Sequence, residues 1–267
     1  MRRSNFLRQG VLLLTLSLSA GASATEPVKL PTKQKLHLYL LIGQSNMAGR
    51  GAVEAPDQVP HPRILKFTKE NAWAPATDPL HFDKPTIAGV GLGSSFGRAM
   101  AEAHPDATIG LIPCAVGGTP LSRWSQGGDL YQQALERVKL ALKDGTLKGI
   151  LWHQGEADSG NEALAKSYGE RLAKMVNALR ADLGAGEAPF VAGQLGEFLK
   201  REDKDGKPSF RPLVNAQIAA LPKSVAHTAA VESVGLKPKS DNVHFDSPSL
   251  REFGQRYAEA MKRLQAK

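Results

Sequence analysis

The chain has 267 residues, 42% hydrophobic and 22% charged, with a formal net charge of +8 and one cysteine. That composition excludes a disordered chain and supplies enough apolar material for a sizeable core, while a single cysteine excludes an intramolecular disulfide. Lysines and arginines are scattered among acids, as at Lys139, Lys143, Lys200 and Lys239, which reads as a solvated surface and not as a stripe for nucleic acid.

Residues 1–24 read as an export signal. Arg2, Arg3 and Arg8 make a basic start, Val11 to Ala20 is a short apolar run, and Ala22-Ser23-Ala24 suits a cleavage site. The run falls short of the ~20 residues that span a bilayer, so cleavage after Ala24 is expected, with no membrane span afterwards. Cleavage removes three arginines and no acids, leaving +5 on residues 25–267. These are expected to form a single domain, exported to the periplasm or secreted.

From there, short apolar runs alternate with amphipathic stretches. Strands are predicted at 36–42, 108–114, 149–153, 190–194 and 228–233, with a short edge strand at 63–68. Their nearly continuous apolar character is that of strands covered on both faces of a parallel sheet. Helices are predicted at 94–103, 130–143, 162–183, 211–221 and 248–264; in the last, Phe253, Tyr257 and Met261 recur at helical spacing. Strands alternating with helices imply a doubly wound α/β domain. Residues 49–93, rich in Pro and Gly, read as an insertion near the functional site.

Ligands of such folds bind at the carboxyl ends of the strands. Three polar clusters follow predicted strands directly: Gly43 to Asn46, Gly117 to Thr119, and His153 to Asp158. A fourth, Asp241 to Asp246, follows the last strand by a loop. Ser45 either caps a short helix or, given a base, is a nucleophile. Met47 occupies the position where a G-x-S-x-G elbow has its last glycine, so the α/β-hydrolase pattern does not apply. His244 is the preferred base, because Asp241 three residues earlier can accept its ring N–H, fix the tautomer and stabilise the imidazolium. Glu156 is the alternative acid, or a substrate ligand. Gly117 and Gly118 can present backbone N–H groups to an oxyanion or form only a turn, and Gln154 can donate from its amide. A metal site from His153, Glu156 and Asp158 lacks a further ligand set. Trp124 and Trp73 either stack on a sugar ring or pack the insertion against the domain. Cys114, at a strand end, reads as a buried inert thiol.

Four stretches together resemble the SGNH hydrolase superfamily, in its branch of sialate O-acetylesterase-like and acetylxylan esterases. They are Gly43-Gln44-Ser45-Asn46-Met47-Ala48-Gly49, Cys114-Ala115-Val116-Gly117-Gly118-Thr119, Trp152-His153-Gln154-Gly155-Glu156-Ala157-Asp158 and Asp241-Asn242-Val243-His244-Phe245, in the family's order. The resemblance implies a three-layer α/β/α sandwich with a central parallel sheet, of flavodoxin-like type. It implies a serine esterase that removes acetyl groups from a carbohydrate such as acetylated xylan or sialic acid, with no cofactor or metal. Other small esters, or glycan binding without turnover, are the alternative readings. By motif, Ser45 corresponds to the nucleophile and to one oxyanion donor, His244 to the base and Asp241 to the acid, with Glu156 as the competing acid. Gly118 corresponds to a second donor. Gln154 stands where the wider superfamily has asparagine, as a third. Gln44, Asn46, Gly117 and Trp124 are the expected substrate contacts.

Overall fold

The computed structural model describes residues 28–199, 206 and 209–266; the expected signal at 1–24 lies outside them. Every apolar run predicted as a strand enters one sheet. Strand β1 (Leu36–Gly43) is the central member, and all of it is buried but for a half-buried His37. Around it lie β2 (Ile64–Phe67), β3 (Trp73–Pro75), β4 (Thr108–Pro113), β5 (Thr146–His153), β6 (Phe190–Gly193) and β7 (Thr228–Val231), in the order β3-β2-β4-β1-β5-β6-β7. All neighbouring pairs are parallel except β2 with β3.

The alternation of side chains along β1 divides the core in two. Leu36, Leu38, Leu40 and Ile42 face one layer, made by α3 (Asp129–Ala141), α5 (Tyr168–Asp182) and α6 (Arg211–Ser224). Tyr39 and Leu41 face the other, where Phe96 and Met100 of α2 (Gly93–Ala103) meet Phe253, Tyr257 and Met261 of α7 (Ser247–Gln265). The protein is therefore a three-layer α/β/α sandwich.

Three local features differ from the expectation. The helix predicted over 162–183 is broken into α4 (Glu162–Lys166) and α5 at Ser167, whose hydroxyl donates to Ala163 O at 2.9 Å. A serine that bonds back to the preceding turn competes with the ladder and bends a helix there. The strand expected at 63–68 is not the edge of the sheet: β2 pairs with β4 on one side and with β3 on the other, and β3, a three-residue strand ending in Pro75, takes the edge, the sheet position where proline is tolerated. Helix α6 continues past Pro222 to Ser224, since a missing N–H in the last turn costs one bond only.

Candidate active site

The carboxyl ends of β1, β4 and β5 lie side by side, and their loops form the site. Strand β1 ends at Gly43, whose φ of +132° and lack of a side chain let it run against His153 of β5; a Cβ there would sit 2.1 Å from His153 O. The chain then turns into a single helical turn, α1 (Ser45–Ala48), which puts Ser45 at its first position.

Ser45 Oγ lies 3.0 Å from His244 Nε2, and His244 Nδ1 lies 2.9 Å from Asp241 Oδ2. The D-x-x-H spacing works because Asp241 builds its own turn. Its Oδ1 accepts from the N–H groups of Val243 and His244, both at 2.9 Å, leaving Oδ2 for the ring. Partial burial pushes the Asp241 carboxyl up, but these two N–H groups and the imidazole outweigh it and hold it down at about 2. Nδ1 accordingly carries its proton toward Asp241, and the Nε2 lone pair faces the serine hydroxyl.

On the opposite side of Ser45, the loop after β4 is pinned by residues with no signature in the sequence. Asp83 accepts from Gly117 N at 2.8 Å and from Arg50 Nη2 at 2.6 Å, and both side chains of that ion pair are buried. Arg50 and Asp83 sit in the Pro/Gly-rich insertion, where no periodicity marks them. Pinning Gly117 uses up its N–H, so Gly117 is not a substrate or oxyanion donor. Gly118 follows with a φ of +78° and open space where a Cβ would be. Neither Gly118 N–H nor Ser45 N–H has a backbone partner of its own among the described residues.

Gln154 departs from the role its motif implies. It is fully buried, and its Nε2 faces Asp158 Oδ2 at 2.7 Å, Thr119 O at 3.0 Å and Gln44 Oε1 at 3.2 Å. Two protons shared among three acceptors leave none for an oxyanion. What Gln154 does is hold Gln44, whose Oε1 also accepts from Ala157 N at 3.3 Å; the Gln44 amide nitrogen donates to none of the described residues.

Asn46 and Trp124 are not substrate contacts either, being 1% exposed each. Trp124 packs edge-on against Trp152 and donates to Thr119 Oγ1 at 3.0 Å. Trp73 packs on Phe67 and donates to Asp144 at 2.9 Å, in the edge strand β3 and not at the site. Asn46 donates to Glu156 Oε1 at 2.6 Å and to Val243 O at 3.3 Å, and accepts from Phe245 N at 3.1 Å. Glu156 thus contacts Asn46 and not His244, so it is not the acid partner of the base. Asp158 turns away toward Leu121 N, Gln154 and Arg171, so His153, Glu156 and Asp158 do not converge as a ligand set. Among the described residues no group of three His, Cys, Asp or Glu side chains is arranged to hold a metal ion. Burial pushes the Cys114 thiol up to about 11, which removes it as a nucleophile at neutral pH.

Residues 35–263 match the family described as carbohydrate esterase, sialic acid-specific acetylesterase. A probable carbohydrate esterase of Arabidopsis thaliana is 31% identical over 242 residues, which cover 84% of this chain and 89% of that one. A solved structure of an Arabidopsis thaliana protein superposes with a TM-score of 0.78 at 29% identity, over 87% of this chain and 99% of that chain. At 20% identity the fold is shared with NanS, TM-score 0.68 over 88% of this chain and 98% of that one. It is shared at 20% identity too with a carbohydrate acetylesterase from Xanthomonas citri, TM-score 0.66 over 87% and 57%.

Proposed function

The chain belongs to the carbohydrate esterase family of sialic acid-specific acetylesterases and is a carboxylic ester hydrolase; on that premise we propose that it removes O-acetyl groups from a carbohydrate through an acyl-serine intermediate. Acetylated xylan, sialic acid or a similar glycan is the substrate class. The observation that carries the reading is the continuous chain from Ser45 Oγ through both His244 nitrogens to Asp241.

In the first step His244 Nε2 takes the Ser45 proton and Oγ attacks the acetyl carbonyl. Asp241 stabilises the imidazolium that forms, and the N–H groups of Ser45 and Gly118 receive the oxyanion. The imidazolium then returns its proton to the sugar oxygen as the C–O bond breaks. In the second step His244 deprotonates a water, which attacks the acyl-serine; acetate leaves and Oγ regains its proton. Gln44, held by Gln154 and Ala157 with its amide nitrogen left over, is the side chain suited to touch the substrate.

The test is acetate release from a panel of acetylated sugars and polymers, with Ser45→Ala as the blank. Release by the native protein that is abolished in Ser45→Ala at an unchanged melting temperature is the expected outcome. Full activity in that variant would overturn the assignment. Comparison of acetyl with longer acyl nitrophenyl esters separates an acetylesterase from an esterase of other small esters. Export follows from the sequence reading of residues 1–24, and the N-terminus of the mature protein recovered outside the cytoplasm tests it, Thr25 being expected.

A further inference from the structure

Glu156 is a carboxylate packed against the nucleophile turn with its side chain only 9% exposed, and no step above uses it. Burying a carboxylate is costly unless it is paired and hydrogen-bonded. Burial does push its acid up, yet the neighbouring His153 imidazole and the Asn46 amide more than offset this and hold it below the usual carboxylate range. His153 Nε2 is 3.5 Å from Oε1, long for a hydrogen bond. His153 is itself held from behind: its Nδ1 lies 3.2 Å from Tyr257 Oη, which donates to Trp152 O at 2.8 Å. A hydroxyl that has given its proton away can only accept, so Nδ1 is the donor of that pair.

The short contact from Glu156 runs to Asn46, at 2.6 Å. Asn46 in turn touches the loop of the base on both sides of His244: its Nδ2 lies 3.3 Å from Val243 O, and its Oδ1 accepts from Phe245 N at 3.1 Å. Asn46 adjoins Ser45 in the chain, so one side chain ties the nucleophile turn to the residues flanking the base. Without it, the register between Oγ and Nε2 would rest on Phe245 packed among His153, Phe198 and Phe253, on the Asp241 turn itself, and on two bonds to the chain beyond α1, from Lys239 Nζ to Arg50 O at 3.0 Å and from Ser247 Oγ to Ala52 O at 2.7 Å, neither of which touches Ser45 or its neighbour.

We infer that Asn46 and Glu156 are positioning residues of the hydrolytic site: Glu156 orients the Asn46 amide, and Asn46 clamps the 243–245 backbone so that His244 Nε2 stays on Ser45 Oγ. Glu156 acts on the base only through Asn46, in contrast to Asp241, which acts on the ring directly. This rests on the reading of Ser45, His244 and Asp241 given above.

The test is steady-state kinetics on an acetyl ester for Asn46→Ala, Glu156→Gln, Glu156→Ala and the Asn46→Ala/Glu156→Ala double variant, with Asp241→Asn and Ser45→Ala beside them. Displacing a reacting pair by about 1 Å costs on the order of 10²-fold. Asn46→Ala is therefore expected to lower kcat by about 10–100-fold with KM within about threefold. Glu156→Gln keeps an oxygen for the Asn46 amide and is expected to retain more activity than Glu156→Ala. In the double variant, Glu156→Ala is expected to add less than about threefold to the loss caused by Asn46→Ala, because the two form one device. The acid limb of kcat/KM is expected to move less in Glu156→Gln than in Asp241→Asn, where the direct charge partner of the base is lost.

Independent, multiplicative losses in the double variant overturn the inference, as does a limb that moves in Glu156→Gln as far as in Asp241→Asn. If Glu156→Ala fails to fold, Glu156→Gln and Asn46→Ala still decide through the limb and the split between kcat and KM. An inactive Ser45→Ala beside a fully active Asn46→Ala sinks the clamp alone. An active Ser45→Ala sinks the functional reading beneath it.

Discussion

Asp241 and Gln154 are both polar side chains at the site, yet the structure gives them opposite kinds of consequence. Asp241 holds Nδ1 of the base and is ionised down to about pH 2, so Asp241→Asn changes the tautomer preference of His244 without removing atoms. A fall in kcat of about 10³–10⁴-fold with an intact fold is expected, read from turnover beside a circular-dichroism spectrum. Gln154 spends its amide on Gln44, Thr119 and Asp158, and its Oε1 lies 3.0 Å from the Tyr168 hydroxyl. Gln154→Ala leaves several buried groups short of a partner, each at a cost of about 1–3 kcal/mol. Its chief effect is expected in the urea midpoint, lowered by an amount matching about 2–4 kcal/mol, with turnover reduced through a released Gln44. A variant as stable as native that has lost turnover would restore Gln154 as a direct donor. In the sequence Gln154 and Asp241 look equally catalytic, because a motif names residue types and not the acceptors that surround them.

At the level of elements, the site depends on how tightly β1 and β5 approach where they end. Gly43 donates its missing side chain to that approach, with His153 O in the space a Cβ would take. Gly43→Ala meets both the backbone clash and the strained φ, and a loss of about 3 kcal/mol or more is expected in equilibrium unfolding. Most elements were legible from apolar runs, since a strand covered on both faces announces itself by composition alone. The elements that were not legible are those whose cause is local geometry. Trp73, Ala74 and Pro75 carry no strand pattern and pair only because β2 presents an edge to them. The break at Ser167 comes from one hydroxyl bonding back to Ala163 within an otherwise continuous helical pattern. Phe245 fixes the loop of the base by entering the α2/α7 face of the core, a contact no spacing rule indicates.

For the whole molecule, stability depends on pH through a group outside the triad. Asp78, in the insertion, is 2% exposed, and burial pushes its carboxyl up to about 6. The folded state holds that proton more tightly than the unfolded chain does, so native stability falls as pH rises from about 4 to about 6 and is level above. Asp78→Asn cannot ionise. It is expected to be more stable than native at pH 8, by about 2–3 kcal/mol, and no more stable at pH 4, as measured by thermal or urea unfolding at the two pH values. Equal effects at both pH values would exclude ionisation as the cause. The sequence by itself determined the layering of this protein and the four polar segments at its sheet edge, because apolar periodicity and strand-end position are local properties of the chain. It also singled out Ser45, His244 and Asp241, whose chemistry is carried by residue type and by the self-made turn of D-x-x-H. Only the tertiary structure decided what the remaining polar residues do: Asp83 pins Gly117, Gln154 serves Gln44, and Glu156 reaches Asn46 and not the base. Those outcomes depend on which donor meets which acceptor across loops 34 and 110 residues apart in the chain, and no local pattern records that.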